Sequence, residues 1–214
     1  MKSLFVTATN TDIGKTYTTL KLIEEFSKQG ILVGVFKPIE TGVIEEPEDA
    51  KLLLKAVQKH NPKFKELNPH DITAYTFSLA SAPYSADKEK IIKIKTILKK
   101  IEALKKNCDL LIIEGAGGLF VPIQKEYMMI DLIKESNSMA LLVTPSKLGC
   151  INDTLLNIEA LKIHQIPFNW TVNLLERDKI SFQEITKPFY DEAFPHWWSI
   201  ENGLENFVHK YINS

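Results

Sequence analysis

A short strand that runs straight into a Gly-Lys-Thr turn, with helical periodicity following at once, constrains this chain more than any other feature. Ser3 to Ala8 is apolar and β-prone, Thr9-Asn10-Thr11-Asp12-Ile13 forms a turn, and Gly14-Lys15-Thr16 opens the helix. Phosphate binding needs that order. Gly14 lets the backbone come close to a phosphate, and the amides of the turn and first helical residues point at it with the positive end of the helix dipole. Lys15 can neutralise the β and γ phosphates, and the Thr16 hydroxyl can bind Mg²⁺. The competing reading of the same residues is a helix capped by Asp12 or Thr11 with Lys15 merely solvated. A strict Walker A motif also begins with a glycine, and Thr9 stands at that position here.

The rest of the chain alternates short apolar runs with longer helical stretches, the pattern of parallel strands joined by crossover helices. Further strands are expected over Leu32 to Lys37, Leu110 to Glu114, Ala140 to Thr144 and Asn169 to Asn173. Thr18 to Lys28 sets Leu22, Ile23 and Phe26 on one helical face, Ile91 to Leu104 does so with Ile94, Leu98 and Ile101, and Ile151 to Ile163 with Leu155, Ile158 and Leu161. The expectation is a single α/β domain over residues 1–214, a mostly parallel central sheet with helices on both faces. His60 to Lys88 and everything after Arg177 show no such pattern, and read as peripheral loops or short helices.

Composition narrows the function. With 26 basic against 27 acidic residues there is no global positive field to hold nucleic acid or an anionic membrane, so any anion must be met locally. The apolar run after Met1 is too short for a signal peptide, and no stretch approaches the roughly 20 residues that span a bilayer. Cys108 and Cys150 form no C-x-x-C pair, which argues against a disulfide framework or zinc ribbon and for a reduced, cytoplasmic protein.

Three more segments place ligand chemistry at strand ends, where open parallel sheets bind ligands. Lys37-Pro38-Ile39-Glu40-Thr41-Gly42 offers a second cation that could stabilise a transferring phosphoryl group. Glu114-Gly115-Ala116-Gly117-Gly118 puts a carboxylate after a buried strand, the position from which Mg²⁺ is held directly or through water. Thr144 to Asn152 opens a helix whose free amides could take a carboxylate. Cys150 at that helix start could be an activated thiol, but no histidine follows in a catalytic pattern, and it reads better as a small packing residue.

Together these segments resemble the dethiobiotin synthetase family of P-loop fold. That family's phosphate loop reads approximately G-T-D-T-x-V-G-K-T, matched by Ala8 to Thr16; its K-P-x-x-S/T-G by Lys37 to Gly42; its E-G-A-G-G by Glu114 to Gly118; and its K-L-G-x-I-N by Lys147 to Asn152. The match spans about residues 3 to 175. It implies that 7,8-diaminopelargonate, CO₂ or bicarbonate, and ATP give dethiobiotin through a carbamate and a carbamic-phosphoric mixed anhydride. Lys15 and Lys37 are then the catalytic residues. Thr16 and Glu114 would hold Mg²⁺ with Asp49 as a third ligand. The nucleotide would meet Asp12, Ile13, Gly14, Lys15, Thr16, Tyr17, Glu114, Gly115, Ala116, Gly117 and Asn173. Thr11, Thr41, Gly117, Gly118, Gly149, Cys150, Ile151 and Asn152 would bind the diamine. The family is a homodimer, so the helix start at Gly149 to Asn152 is expected to serve the neighbouring subunit's site.

The chain departs from the family where Ala8 replaces glycine, Asn10 replaces aspartate, and Asp12 stands where glutamate is frequent. Of the residues that frame the base only Asn173 matches, which predicts weak base selectivity. Two other readings share the phosphate turn. A partitioning-type switch ATPase carries an additional lysine early in the loop, where this chain has Thr9 and Asn10. The amide-forming synthetases of cobalamin biosynthesis add a glutaminase domain, for which 214 residues leave no room.

Overall fold

Strands that are buried on both faces must be apolar almost throughout, and the runs around Phe5, Ile112 and Leu142 meet that demand. A computed structural model describes residues 2–213. Along the chain lie β1 (Lys2–Ala8), α1 (Lys15–Lys28), β2 (Val33–Thr41), α2 (Glu48–Gln58), β3 (Thr73–Phe77), the single turn α3 (Pro83–Ala86), α4 (Ile94–Lys105) and β4 (Leu110–Gly118). There follow a small antiparallel hairpin, β5 (Pro122–Gln124) and β6 (Tyr127–Met128), then α5 (Met129–Glu135), β7 (Met139–Pro145), α6 (Cys150–Ile163), β8 (Phe168–Asn173), α7 (Lys179–Ser181), α8 (Lys187–Ala193) and α9 (Ile200–Ile212). The main sheet has six parallel strands in the order β3-β2-β4-β1-β7-β8. This is the expected α/β architecture.

Strand order decides where the site falls. The strands β2, β4 and β1 are adjacent and parallel, so the motifs that begin within the carboxyl halves of β2 and β4 and the turn that follows β1 come together at one edge. Pairing of Phe36 with Ile113 puts Lys37 beside Glu114 on neighbouring strands. β2 pairs with β4 from Val33 to Phe36 and with β3 from Lys37 to Thr41, so Pro38, which has no N–H to give, sits just where the strand changes partner.

Three expectations are corrected. The stretch His60 to Lys88 is not only loops and short helices, because it contains the edge strand β3; Thr73-Ala74-Tyr75-Thr76-Phe77 is β-prone but hidden among Pro and Asn turns. The segment after Arg177 is not peripheral. It ends in the 13-residue helix α9, which buries Phe207, Val208 and Tyr211, worth about 2 kcal/mol each in apolar area. Asp49, for which no element was expected, lies in the first turn of α2. On α4 the buried face is Ile97, Ile101 and Leu104, with Ile94 and Leu98 only partly covered, because the helix starts late. Asp87 holds the amides of Ile91 and Ile92, both at 2.9 Å, and keeps that stretch out of the helix.

Candidate active site

The phosphate turn takes its shape from two residues. Asp12 (φ 59°) and Gly14 (φ 102°) adopt the left-handed region, whereas Thr9 does not. Thr9 continues the sheet instead, donating its amide to Val143 O at 3.2 Å, so the position needs no glycine. Gly14 needs to be one for a second reason, since a Cβ there would meet Asn173 Nδ2 at 2.2 Å. No side chain caps α1, which removes the capped-helix reading. Nor is Lys15 solvated. It is buried, and its ammonium curls back to donate to Asn10 O at 3.1 Å. Burial first, and then the charge of Lys37, lower its pKa to about 8 against the pull of Glu114, Asp49 and Asp12.

Beside the turn is a knot of opposite charges. Lys37 donates to Glu114 Oε1 at 2.7 Å and to Asp49 Oδ2 at 2.8 Å, and it is only 4% exposed. The Thr16 hydroxyl lies 3.0 Å from Glu114 Oε1 and 3.1 Å from Asp49 Oδ1. Thr19 donates to the other Glu114 oxygen at 2.7 Å. Burial opposes a charge on Lys37, but Glu114 and Asp49 outweigh it and hold the ammonium protonated well above its ordinary range. For Asp49 burial likewise opposes ionisation, yet Lys37 and then Thr16 keep the carboxyl below its usual value.

Glu40 sets Asp49 in place, and no pattern in the sequence singled it out. Its carboxylate accepts the amides of Asp49 at 2.9 Å and Ala50 at 3.0 Å, capping the otherwise uncapped first turn of α2. Burial pushes the Glu40 carboxyl up, partly offset by those two amides. Its only trace in the sequence is its place inside the strand-end motif that begins at Lys37.

These residues border an open cavity of about 540 Å³. Of the expected site residues, Thr11, Asp12, Gly14, Lys15, Thr16, Tyr17, Lys37, Thr41, Asp49, Ala116 and Gly117 line it, joined by Glu40, Ser81 and Val121, which sequence reasoning missed. Others stand back from it. Glu114 is fully buried beneath Thr16 and Lys37. Asn173 spends its amide on Ile13 O at 2.9 Å and so braces the turn. Gly115 and Gly118 answer to packing, since a Cβ would meet Phe5 at 2.9 Å and Thr9 O at 2.9 Å respectively. Gly149 to Asn152 lie outside the cavity wall, and Cys150 has no exposed surface. No cysteine or histidine lines the cavity. The arrangement is one for holding anions with amides and two lysines, close to paired carboxylates.

Parallel strand order, an uncapped phosphate turn and a carboxylate behind its threonine define a P-loop nucleotide-binding protein. A family model described as an AAA domain matches residues 2–174. The chain is similar to curated proteins named ATP-dependent dethiobiotin synthetase BioD. One from Sulfurovum sp. is 55% identical, covering 97% of this chain and 99% of the relative, and one from Wolinella succinogenes is 38% identical over all of both. The chain belongs to the ATP-dependent dethiobiotin synthetase family. Among solved structures, the MinC:MinD cell division complex of Aquifex aeolicus aligns with TM-score 0.56 at 16% identity, covering 98% of this chain and 86% of that one. A plasmid partition protein of Borrelia burgdorferi aligns with TM-score 0.55 at 12% identity, covering 99% and 98%. At such identity the likeness concerns the fold alone.

Proposed function

We propose that the chain carboxylates 7,8-diaminopelargonate with CO₂ and closes the ureido ring at the expense of ATP, giving dethiobiotin, ADP and phosphate for biotin synthesis in the cytoplasm. The observation that carries this reading is the pairing of Lys37 with Glu114 and Asp49 beside the phosphate turn, on the wall of a cavity that no cysteine or histidine lines. An amine nitrogen takes up CO₂ and loses a proton to form a carbamate. A carbamate oxygen then attacks the γ-phosphorus and ADP leaves. The second amine attacks the carbon of the mixed anhydride, expelling phosphate as the ring closes. Each stage moves negative charge between oxygens, which two positioned ammonium groups stabilise without protein covalency.

Lys15 and Lys37 take the catalytic roles, and the amides of the turn hold the phosphates. Thr41 on the same wall would meet the diamine. Among the described residues no three His, Cys, Asp or Glu side chains gather into a metal cluster. Mg²⁺ would rely on the Thr16 hydroxyl, Asp49 and Glu114, hard oxygens of which Thr16 Oγ1 lies within 3.1 Å of both carboxylates, with phosphate oxygens completing its shell. When bound, it supplies charge neutralisation at the phosphates. We place the substrate carboxylate at the start of α6 of a second copy. That position outside the cavity, and the exposed Leu148, Leu156 and Ile163 of the α6 region, support a homodimer. Because Asn173 is committed to the turn, base selectivity is expected to be weak, and negligible GTP binding beside tight ATP binding in a titration would count against it.

The test is purified protein with ATP, Mg²⁺, diamine and ¹³C-bicarbonate. The expected result is dethiobiotin one mass unit heavy, with one phosphate released per product. Phosphate release that ignores the diamine would contradict the proposal.

A further inference from the structure

The turn expected to receive the substrate carboxylate is exposed at Leu148 and Gly149 but anchored from below. Gly149 starts α6 in the left-handed region with no side-chain cap, and the Cys150 amide donates to Lys147 O at 3.1 Å. Helix geometry leaves the amides of Ile151 and Asn152 without intrahelical partners. Where those amides point is set by the first turn of α6. Among the buried polar side chains that reach that turn is Tyr190 of α8, which has no exposed surface. Its hydroxyl donates to Thr154 Oγ1 at 2.9 Å and lies 3.4 Å from the Cys150 carbonyl. Thr186, on the turn before α8, faces Cys150 Sγ at 3.8 Å.

The ring of Tyr190 is itself fixed. Trp170 packs edge-on at 5.1 Å, Trp197 at 5.8 Å and Phe182 at 6.0 Å between centroids. A second tie holds the other end of the turn, where Ser146 donates to Asp178 Oδ2 at 2.6 Å and accepts the Leu175 amide at 3.1 Å. The groups that hold Ser146 and Cys150, on either side of Lys147-Leu148-Gly149, thus come from Leu175, Asp178, Thr186 and Tyr190, beyond the matched AAA-domain region.

We infer that Tyr190 is a positioning residue for the diamine's carboxylate: through Thr154 and the Cys150 carbonyl it orients the α6 amides while touching no substrate. The inference rests on the carboxylate reading proposed above. Because the hydroxyl reaches the substrate only through backbone, its loss should weaken binding of the charged end and leave the phosphoryl chemistry alone. Burial raises the phenol well above its ordinary value, so this anchor does not titrate in the working range.

The experiment compares steady-state kinetics of the full chain and Tyr190→Phe on the diamine acid and on its neutral carboxamide. Tyr190→Phe keeps all the ring contacts, so the fold is retained. We expect KM for the acid to rise about fivefold, the scale of one buried hydrogen bond, with kcat, KM for ATP and KM for the carboxamide unchanged. Thr154→Val should reproduce the effect, Thr154→Ser should restore wild-type KM, and the Tyr190→Phe/Thr154→Val double variant should add nothing further. An equal shift for acid and carboxamide, or no shift in either single variant, would overturn the assignment. Wild-type enzyme that makes dethiobiotin yet treats acid and carboxamide alike would remove the carboxylate reading with it.

Discussion

The crevice above β1, β2 and β4 is organised by charge, whereas the segment from Leu174 to Asn213 along β8 is organised by rings. In the crevice a few atoms within about 3 Å of one another fix everything: Lys37, Glu114, Asp49 and Thr16 leave no spare distance. Along β8, Trp170, Phe182, Tyr190, Phe194 and Trp197 meet edge to face, and Trp198 stacks on Phe207 at 5.0 Å. Val172 N donates to Trp198 O at 3.0 Å, so the segment also pairs the exposed edge of the sheet. Charge clusters depend on identity and distance, and apolar clusters on area and volume. The two regions should therefore fail differently when altered.

The sharpest break is Glu114→Ala. It strips partners from Lys37, Thr16 and Thr19 together and leaves a buried ammonium with Asp49 as its one paired carboxylate. Removing one member of a buried ion pair costs about 3–5 kcal/mol. Denaturant unfolding should show that loss and turnover should vanish; a loss of less than about 1 kcal/mol would mean the knot contributes little to the fold.

Phe207→Ala probes the ring region with a somewhat smaller effect. Truncating this nearly buried ring should cost about 3 kcal/mol. Turnover per folded molecule should stay near wild type below the melting transition. Loss of turnover in protein shown to be folded would erase the contrast between the regions.

A pH series on the crevice comes next. In the free protein Lys15 has a pKa of about 8, below its ordinary value, while bound phosphates favour the ammonium. Above pH 8 nucleotide binding must therefore take up a proton, and affinity falls as pH rises. From pH 8 to 9 ATP should bind about fivefold more weakly, the limit being tenfold per unit for one proton. Lys15→Arg should be flat across that interval, and parallel slopes for the two proteins would assign the effect to another group.

The smallest expected effect is that of Thr9→Gly, which restores the glycine of a strict Walker A motif. Because Thr9 is not left-handed, the glycine gains nothing in geometry, and chain entropy should cost about 0.5–1 kcal/mol of stability. Nucleotide affinity should not improve; a clear gain would show that the turn is strained at this position.

The same contrast explains what could be read from the sequence. Lys15, Thr16, Lys37 and Glu114 were legible because ligand geometry demands fixed residue types at fixed places after strands. Glu40 was not, since its task of capping α2 depends on where the fold brings a helix that no sequence pattern had marked. α9 and Tyr190 were hidden because ring packing leaves no spacing rule. β3 was lost among Pro and Asn, whose turns dominate the local signal. Gly118 and Asn173 were read as ligand contacts, and the structure adds a second demand at each: a Cβ at Gly118 would meet Thr9 O at 2.9 Å, and the Asn173 amide donates to Ile13 O.

The most direct test of the account is single-turnover chemistry with Lys37→Ala, preloaded with ATP and the diamine and followed for both bound nucleotide and dethiobiotin. The account predicts nucleotide affinity within about threefold of wild type, an effect under 1 kcal/mol, and no measurable product. Product formed at the wild-type rate would remove Lys37 from the mechanism and contradict the central claim.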